Sequence, residues 1–220
     1  MNGHLRVRDD EGDASRLLAL SDGVFAIAMT LLALDITLPS GLDPAGFERA
    51  LADVTPNLWA YALSFVVIGA FWRGHHQIFQ YVRKVDGIVI RLGLLNLGLI
   101  ALMPFPTTLL AEYGDQSQSV AVYSGAVAAM GAAQLALTIV VWKRPWLGSE
   151  ALPDPVARND VADLAWTVLV FVVAVPLAFV SPTGAKLWWV VLLPLKTMTG
   201  RRGKRLREEA QRSAEDRSTR

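Results

Sequence analysis

The sequence contains no cysteine, which excludes a disulfide framework, a thiol nucleophile and any thiolate metal site. Charge is scarce through most of the chain. Of its 220 residues 19% are Asp, Glu, Lys or Arg, and these crowd into the first sixteen positions, a few loops and the last twenty. A soluble domain carries charge over its whole surface, so this layout excludes one and fits a membrane protein. Histidine occurs three times, one of them His4 in the N-terminal segment, while a zinc site needs three or four ligands from His, Cys or carboxylate, so no metal is expected at "RGHHQ". There is no nucleotide motif, no arginine ladder of a voltage sensor and no calcium loop. No internal repeat is present, since "SDGVFAIA" occurs once, which argues against an inverted-repeat transporter. A secretory leader is not expected: four acids precede the first apolar run and no small-residue cleavage site follows it.

What is there is hydrophobic, 53% of the chain. A transmembrane helix needs about 20 mostly apolar residues. Six segments are expected to cross: 17–38, 56–82, 87–113, 117–142, 161–180 and 184–198. The sixth is short, and Lys186 and Lys196 at its ends would snorkel to the interfaces. Residues 1–16 then form an N-terminal segment, 17–200 a six-helix unit and 201–220 a charged tail. In the first loop, Asp43 followed by Pro44 predicts the start of a short interfacial helix. Pro104, Pro106, Pro176 and Pro194 lie within spans and predict kinks. With six spans and the N-terminus inside, the outer loops hold only Arg49 and Lys186, so the positive-inside rule places both termini in the cytoplasm.

Ionisable groups inside spans cost roughly 2.5–3.5 kcal/mol each at a helix centre, so each needs an account. They are Asp22 and Asp35 on the first helix, Arg73, His75 and His76 on the second, and Arg91 and Glu112 on the third, which also carries Asn96. Ser21 and Asp22 read either as a helix cap or as groups inside the helix that need partners. The apolar run already begins at Leu17, and the candidate partners are a histidine of "RGHHQ" or Asn96. Ser21 and Asp22 are not a nucleophile and its base, because neighbours on a helix diverge. The second half of the chain offers almost no convergent polar groups for an enzyme. At about 100° per residue, Leu20, Ile27, Leu31, Leu34 and Leu38 form one stripe, and Asp22 lies roughly 140° around from Ile27. Such a stripe ordinarily faces lipid or another helix.

"RLLALSDGVFAIAMTLLALDI", then "YALSFVVIGAFWRGHHQIF" and "LNLGLIALMPFPTTLL", resemble in order the first three helices of the transmembrane protein 175 family of potassium channels. The family's Phe-Ser-Asp reads Leu20-Ser21-Asp22 here. The resemblance implies an all-α membrane channel of six helices per subunit, assembled as a homotetramer in the cell membrane. The first helix of each subunit would line the pore. It implies an apolar constriction at Ile27, Leu31 and Leu34, the stripe already found from phase. It further implies a polar network between helices at Arg16, Ser21, Asp22, Trp72, His76 and Asn96, with His75 the alternative to His76. The permeant ion would be potassium, with modest selectivity. No cofactor, metal or nucleic acid is expected, and membrane lipid is the other partner. Asp35, about 80° from Ile27, is expected to form a ring of negative charge at the outer mouth. Single-channel conductance at low salt, with Asp35 neutralised, is its measure. The competing function is a proton-coupled secondary transporter using Asp22 and a histidine of the second helix.

Overall fold

Among the described residues there are eight α-helices: α1 Gly3–Leu31, α2 Pro44–Phe79, α3 Gly87–Ala101, α4 Pro104–Glu112, α5 Ser117–Lys143, α6 Asp154–Val180, α7 Pro182–Trp188 and α8 Leu192–Ser218. The computed structural model describes residues 3–34, 36–148 and 152–218, with side chains from 14 to 210 within those stretches and at 212. No strand occurs among the described residues, so the all-α class expected from the sequence holds.

Local chemistry sets the helix starts. Asp43 caps α2 by accepting from the Gly46 N–H at 2.8 Å, with Pro44 in the first turn. The helix it starts is not a separate interfacial piece. α2 runs unbroken for 36 residues through Pro56, about 54 Å, well beyond a hydrocarbon core of about 30 Å. Asp86 caps α3, accepting from Ile88 and Val89 N–H at 3.0 and 2.9 Å. Ser181 caps α7 by accepting from Gly184 N–H at 3.1 Å.

The prolines act unequally. Pro104 ends α3 and opens α4, splitting the expected third span. Pro176 sits inside α6 without a break. Ahead of Pro194 the chain makes a 3₁₀ turn at Trp189–Val191, because proline offers no N–H to the carbonyl four residues earlier. The expected sixth span is therefore α7, this turn and the start of α8. Five stretches among the described residues are long and apolar enough to cross a membrane: Ala14–Leu31, Pro44–Phe79, Gly87–Glu112, Ser117–Lys143 and Asp154–Val180. α1 ends at Leu31, not at residue 38. Leu34 follows in a turn tightened by bonds from Ala33 N–H to Thr30 O and Leu34 N–H to Leu31 O.

α5 is the central helix. Its span is 56% buried, against 28% for α1. It packs closely on α6 where Gly131 stands, since a Cβ there would lie 2.9 Å from Val168 Cγ2. The core has two parts. One gathers Phe25, Phe71, Leu97, Ile100, Tyr123 and Met130, among others. The other gathers Leu17, Ile78, Phe79, Val89 and Leu137 with the connection at Leu147 and Leu152.

Candidate functional site

Between these two apolar clusters lies a polar layer, reached by stepping one turn along each helix. On α1 the order is Leu17, Ser21, Phe25; on α2 it is Phe71, His75, Phe79; on α5 it is Met130, Gln134, Leu137. Ser21, His75, Asn96 and Gln134 are all buried. Gln134 Oε1 accepts from Asn96 Nδ2 at 2.8 Å and faces His75 Nδ1 at 3.3 Å. The other ring nitrogen, Nε2, meets the Ser21 hydroxyl at 3.0 Å. That hydroxyl donates to Leu17 O at 2.7 Å. Four helices, α1, α2, α3 and α5, are joined at one depth.

The residues expected for an inter-helix network divide. Ser21 and Asn96 lie in this layer. The histidine that joins it is His75, not His76, because successive residues point about 100° apart and only His75 turns toward α1 and α5. His76 instead lies beside Trp72, ring centroids 5.8 Å apart, and its Nδ1 is buried with no hydrogen-bond partner among the described residues. Asp22 accepts from Trp72 Nε1 at 2.8 Å on the exposed flank of the α1–α2 pair. Arg16 is exposed and takes no part in these bonds among the described residues. Gln134 was not anticipated. Its signal was a lone amide in the middle of an Ala- and Gly-rich span.

A second polar cluster was also missed. Thr107 Oγ1 lies 2.8 Å from Ser64 Oγ, which is 3.1 Å from the Tyr123 hydroxyl, tying α2, α4 and α5. Ser64 precedes His75 by eleven residues, about 16 Å along α2, so the two clusters sit at different depths. The expectation that the second half lacks convergent polar groups fails at Gln134 and Tyr123. Lys186 and Lys196 do more than reach for the interfaces. Lys186 Nζ donates to Gly114 O at 2.9 Å, and Lys196 Nζ pairs with Asp163 Oδ2 at 2.5 Å.

The apolar stripe of α1 is uncovered. Ile27 is 60% exposed, Leu31 40% and Leu34 66%, with Leu20 and Leu38 also open. On the wheel the stripe lies roughly 110° from the inward face that carries Ser21, Phe25 and Leu32. Asp35 lies outside the described residues. Among the described residues no group of three or more His, Asp or Glu is placed to hold a metal ion. Outside the spans, the Asp86 carboxyl is held below its ordinary range by the Val89 N–H first, then by Ile88 N–H and Arg144, against the opposing effect of burial.

Fold and site together define a multi-span α-helical membrane protein whose helices are joined by a buried polar layer and whose first helix presents an open apolar face. A family model described as the endosomal/lysosomal potassium channel TMEM175 matches residues 16–104. A Streptomyces collinus protein named as a potassium channel is 42% identical over 173 residues, 77% of this chain and 84% of that one. One from Chamaesiphon minutus, also named as a potassium channel, is 34% identical over 160 residues, 69% of this chain and 75% of that one. The crystal structure of a lysosomal potassium-selective channel TMEM175 homolog from Chamaesiphon minutus matches with a TM-score of 0.70 at 29% identity, over 87% of this chain and 98% of that one. The chain belongs to the TMEM175 family.

Proposed function

We propose that the chain is one subunit of a passive, potassium-permeable channel in a prokaryotic cell membrane, with both termini in the cytoplasm. Four copies bring four α1 stripes around a central axis. The observation that carries this is the uncovered stripe itself: Ile27 and Leu31 on α1 and Leu34 in the turn after it are open, while the other face of the helix is packed and hydrogen-bonded. A ring of four aliphatic side chains closes a pore by excluding water, and a small rotation of the helices rewets it. Partial dehydration in such a ring costs less for potassium than for sodium, because potassium holds its hydration shell less tightly, so selectivity is modest. The bacterial relatives named as potassium channels support potassium as the ion.

The proton-coupled transporter is not favoured. Asp22 is engaged by Trp72, and His75 by Ser21 and Gln134, away from the stripe. The test is flux through the purified protein in liposomes. Potassium should move downhill at a rate set by its gradient alone, and Ile27→Asn and Leu31→Ala should each reduce the potassium preference severalfold. Saturating flux that requires a counter-ion or a proton would remove the channel assignment. Unchanged ion ratios in both variants would mean that the stripe faces lipid.

A further inference from the structure

At the polar ends of α6 and α8 the two helices form an open cleft of about 290 Å³, lined by none of the residues of the α1 stripe or the His75 layer. Its polar end carries Arg158 and Arg202, and its apolar end Trp166 and Met198. Both arginines are exposed, and neither has an ion-pair partner among the described residues. The neighbouring acids are already neutralised. Asp160 pairs with Arg207 at 2.7 Å and Asp163 with Lys196 at 2.5 Å. The cleft therefore presents two unpaired guanidinium groups and no unpaired carboxylate on its walls.

The helices that frame it are fixed to each other. Asn159 Nδ2 donates to Thr199 O at 3.2 Å, and Thr199 Oγ1 donates to Asp163 Oδ1 at 2.5 Å. Gly203 permits the close approach, since a Cβ there would lie 2.8 Å from Asn159 Nδ2. Along both helices the change from charge to hydrocarbon falls at this place. Trp166 stands two turns from Arg158 on α6 and Met198 one turn from Arg202 on α8, each toward the apolar end of its helix. Tryptophan is favoured at the membrane–water boundary for the same reason: one part of it is apolar and the other wet.

We infer that this cleft binds the phosphate of an anionic phospholipid, with Arg158 and Arg202 on the headgroup and Trp166 and Met198 against the first carbons of an acyl chain. Guanidinium groups suit a phosphate because their forked donors match its oxygens. The order of the four side chains matches the order of groups in a lipid, which a free phosphate would not need. The inference does not depend on which ion the pore conducts.

The test is native mass spectrometry of the purified, intact assembly after exchange into phosphatidylglycerol or phosphatidylcholine of the same acyl chains. Phosphatidylglycerol should be retained roughly thirtyfold better, a gain of the size two basic groups supply near a membrane surface. The preference should vanish in R158Q/R202Q and persist in R201Q/R205Q, which removes the same charge from exposed positions of α8. Met198→Asp keeps both arginines, places a carboxylate beside the headgroup and should also abolish the preference. A preference unchanged in R158Q/R202Q and in Met198→Asp overturns the proposal. So does one lost equally in R201Q/R205Q, which would be diffuse attraction to the tail. Displacement of the lipid by millimolar inorganic phosphate would make this a soluble-phosphate site and remove the lipid assignment.

Discussion

The two faces of α1 are built on opposite plans. Inward, Leu17, Ser21, Phe25, Ala28 and Leu32 are all buried, and the one polar group among them is hydrogen-bonded. Outward, Ile27, Leu31 and Leu34 are branched, apolar and open. In water such a helix would be inside out. In lipid, apolar contact is available everywhere, so it cannot by itself fix which helix packs on which. A buried hydrogen bond can, because the wrong register leaves a donor or acceptor without a partner. We propose that the Ser21–His75–Gln134–Asn96 layer sets register, leaving the outward face to serve another surface. Polarity on this helix belongs to architecture, and plain hydrocarbon is the candidate for function.

The sharpest way to break that contrast is His75→Ala. It removes the side chain between Ser21 and Gln134 and leaves a void beside Phe25 and Phe79, whose rings lie 5.7 and 4.6 Å from the imidazole. The expected loss is about 2–3 kcal/mol, or a fall of roughly 5–10 °C in the thermal midpoint of the purified protein. His76→Ala and Ile27→Asn should each move the midpoint far less, because His76 makes no hydrogen bond in the layer and Ile27 is already open. Equal losses for the two histidines would dissolve the distinction between the layer and its rim.

Much of this was legible in the sequence, and the failures share a cause. Helix type, the Asp43 cap, the Pro104 break and the α1 stripe follow from local patterns of hydropathy and turn chemistry. Asp22, Ser21 and Asn96 stood out as polar groups in apolar runs. The choice between His75 and His76 did not follow, because it depends on where α5 sits, and α5 has no amphipathic face to orient it. Gln134, Ser64, Thr107 and Tyr123 escaped because an uncharged polar group in a membrane costs less than a charge and draws less notice. Their meaning appears only when the packed helices bring them into two layers, at two different depths. The ends of α1 and α2 were misplaced for a different reason: a helix that continues past the bilayer changes solvent without changing backbone, and hydropathy reads only the solvent.

The next contrast lies between the buried layer and the Asp22–Trp72 bond on its flank. Trp72 is 40% exposed, so its hydrogen bond competes with lipid headgroups and water, and its ring buries less surface. Trp72→Phe keeps an aromatic ring against His76 and removes only the indole N–H. The expected cost is about 1 kcal/mol, smaller than for His75→Ala, with assembly affected more than ion ratios. Size-exclusion profiles and ion ratios measured on one preparation would decide it. A stable assembly with altered ion ratios would put Asp22 on the ion path.

The smallest effect is expected at Asp86, where a polar group is well bonded but sits at the rim. Its carboxylate caps α3 through Val89 and Ile88 N–H and pairs with Arg144, which joins the α2–α3 loop to the end of α5. The adjoining Arg83 and Lys84 N–H both donate to Leu147 O at 2.8 Å, so the loop is held even without the acid. Because folding lowers the Asp86 pKa below its ordinary 3.8, the charged form stabilises the fold above that value. That contribution disappears as pH falls through the lowered native value. Stability measured from about pH 6 down to about pH 3 should therefore fall more steeply in wild type than in Asp86→Asn, with only a slight difference near neutrality. Parallel curves would mean that the cap is idle, and a large gap at neutral pH would mean that a rim carboxylate rivals the buried layer. Either result would undo the claim that burial, more than bond count, decides what a polar group contributes here.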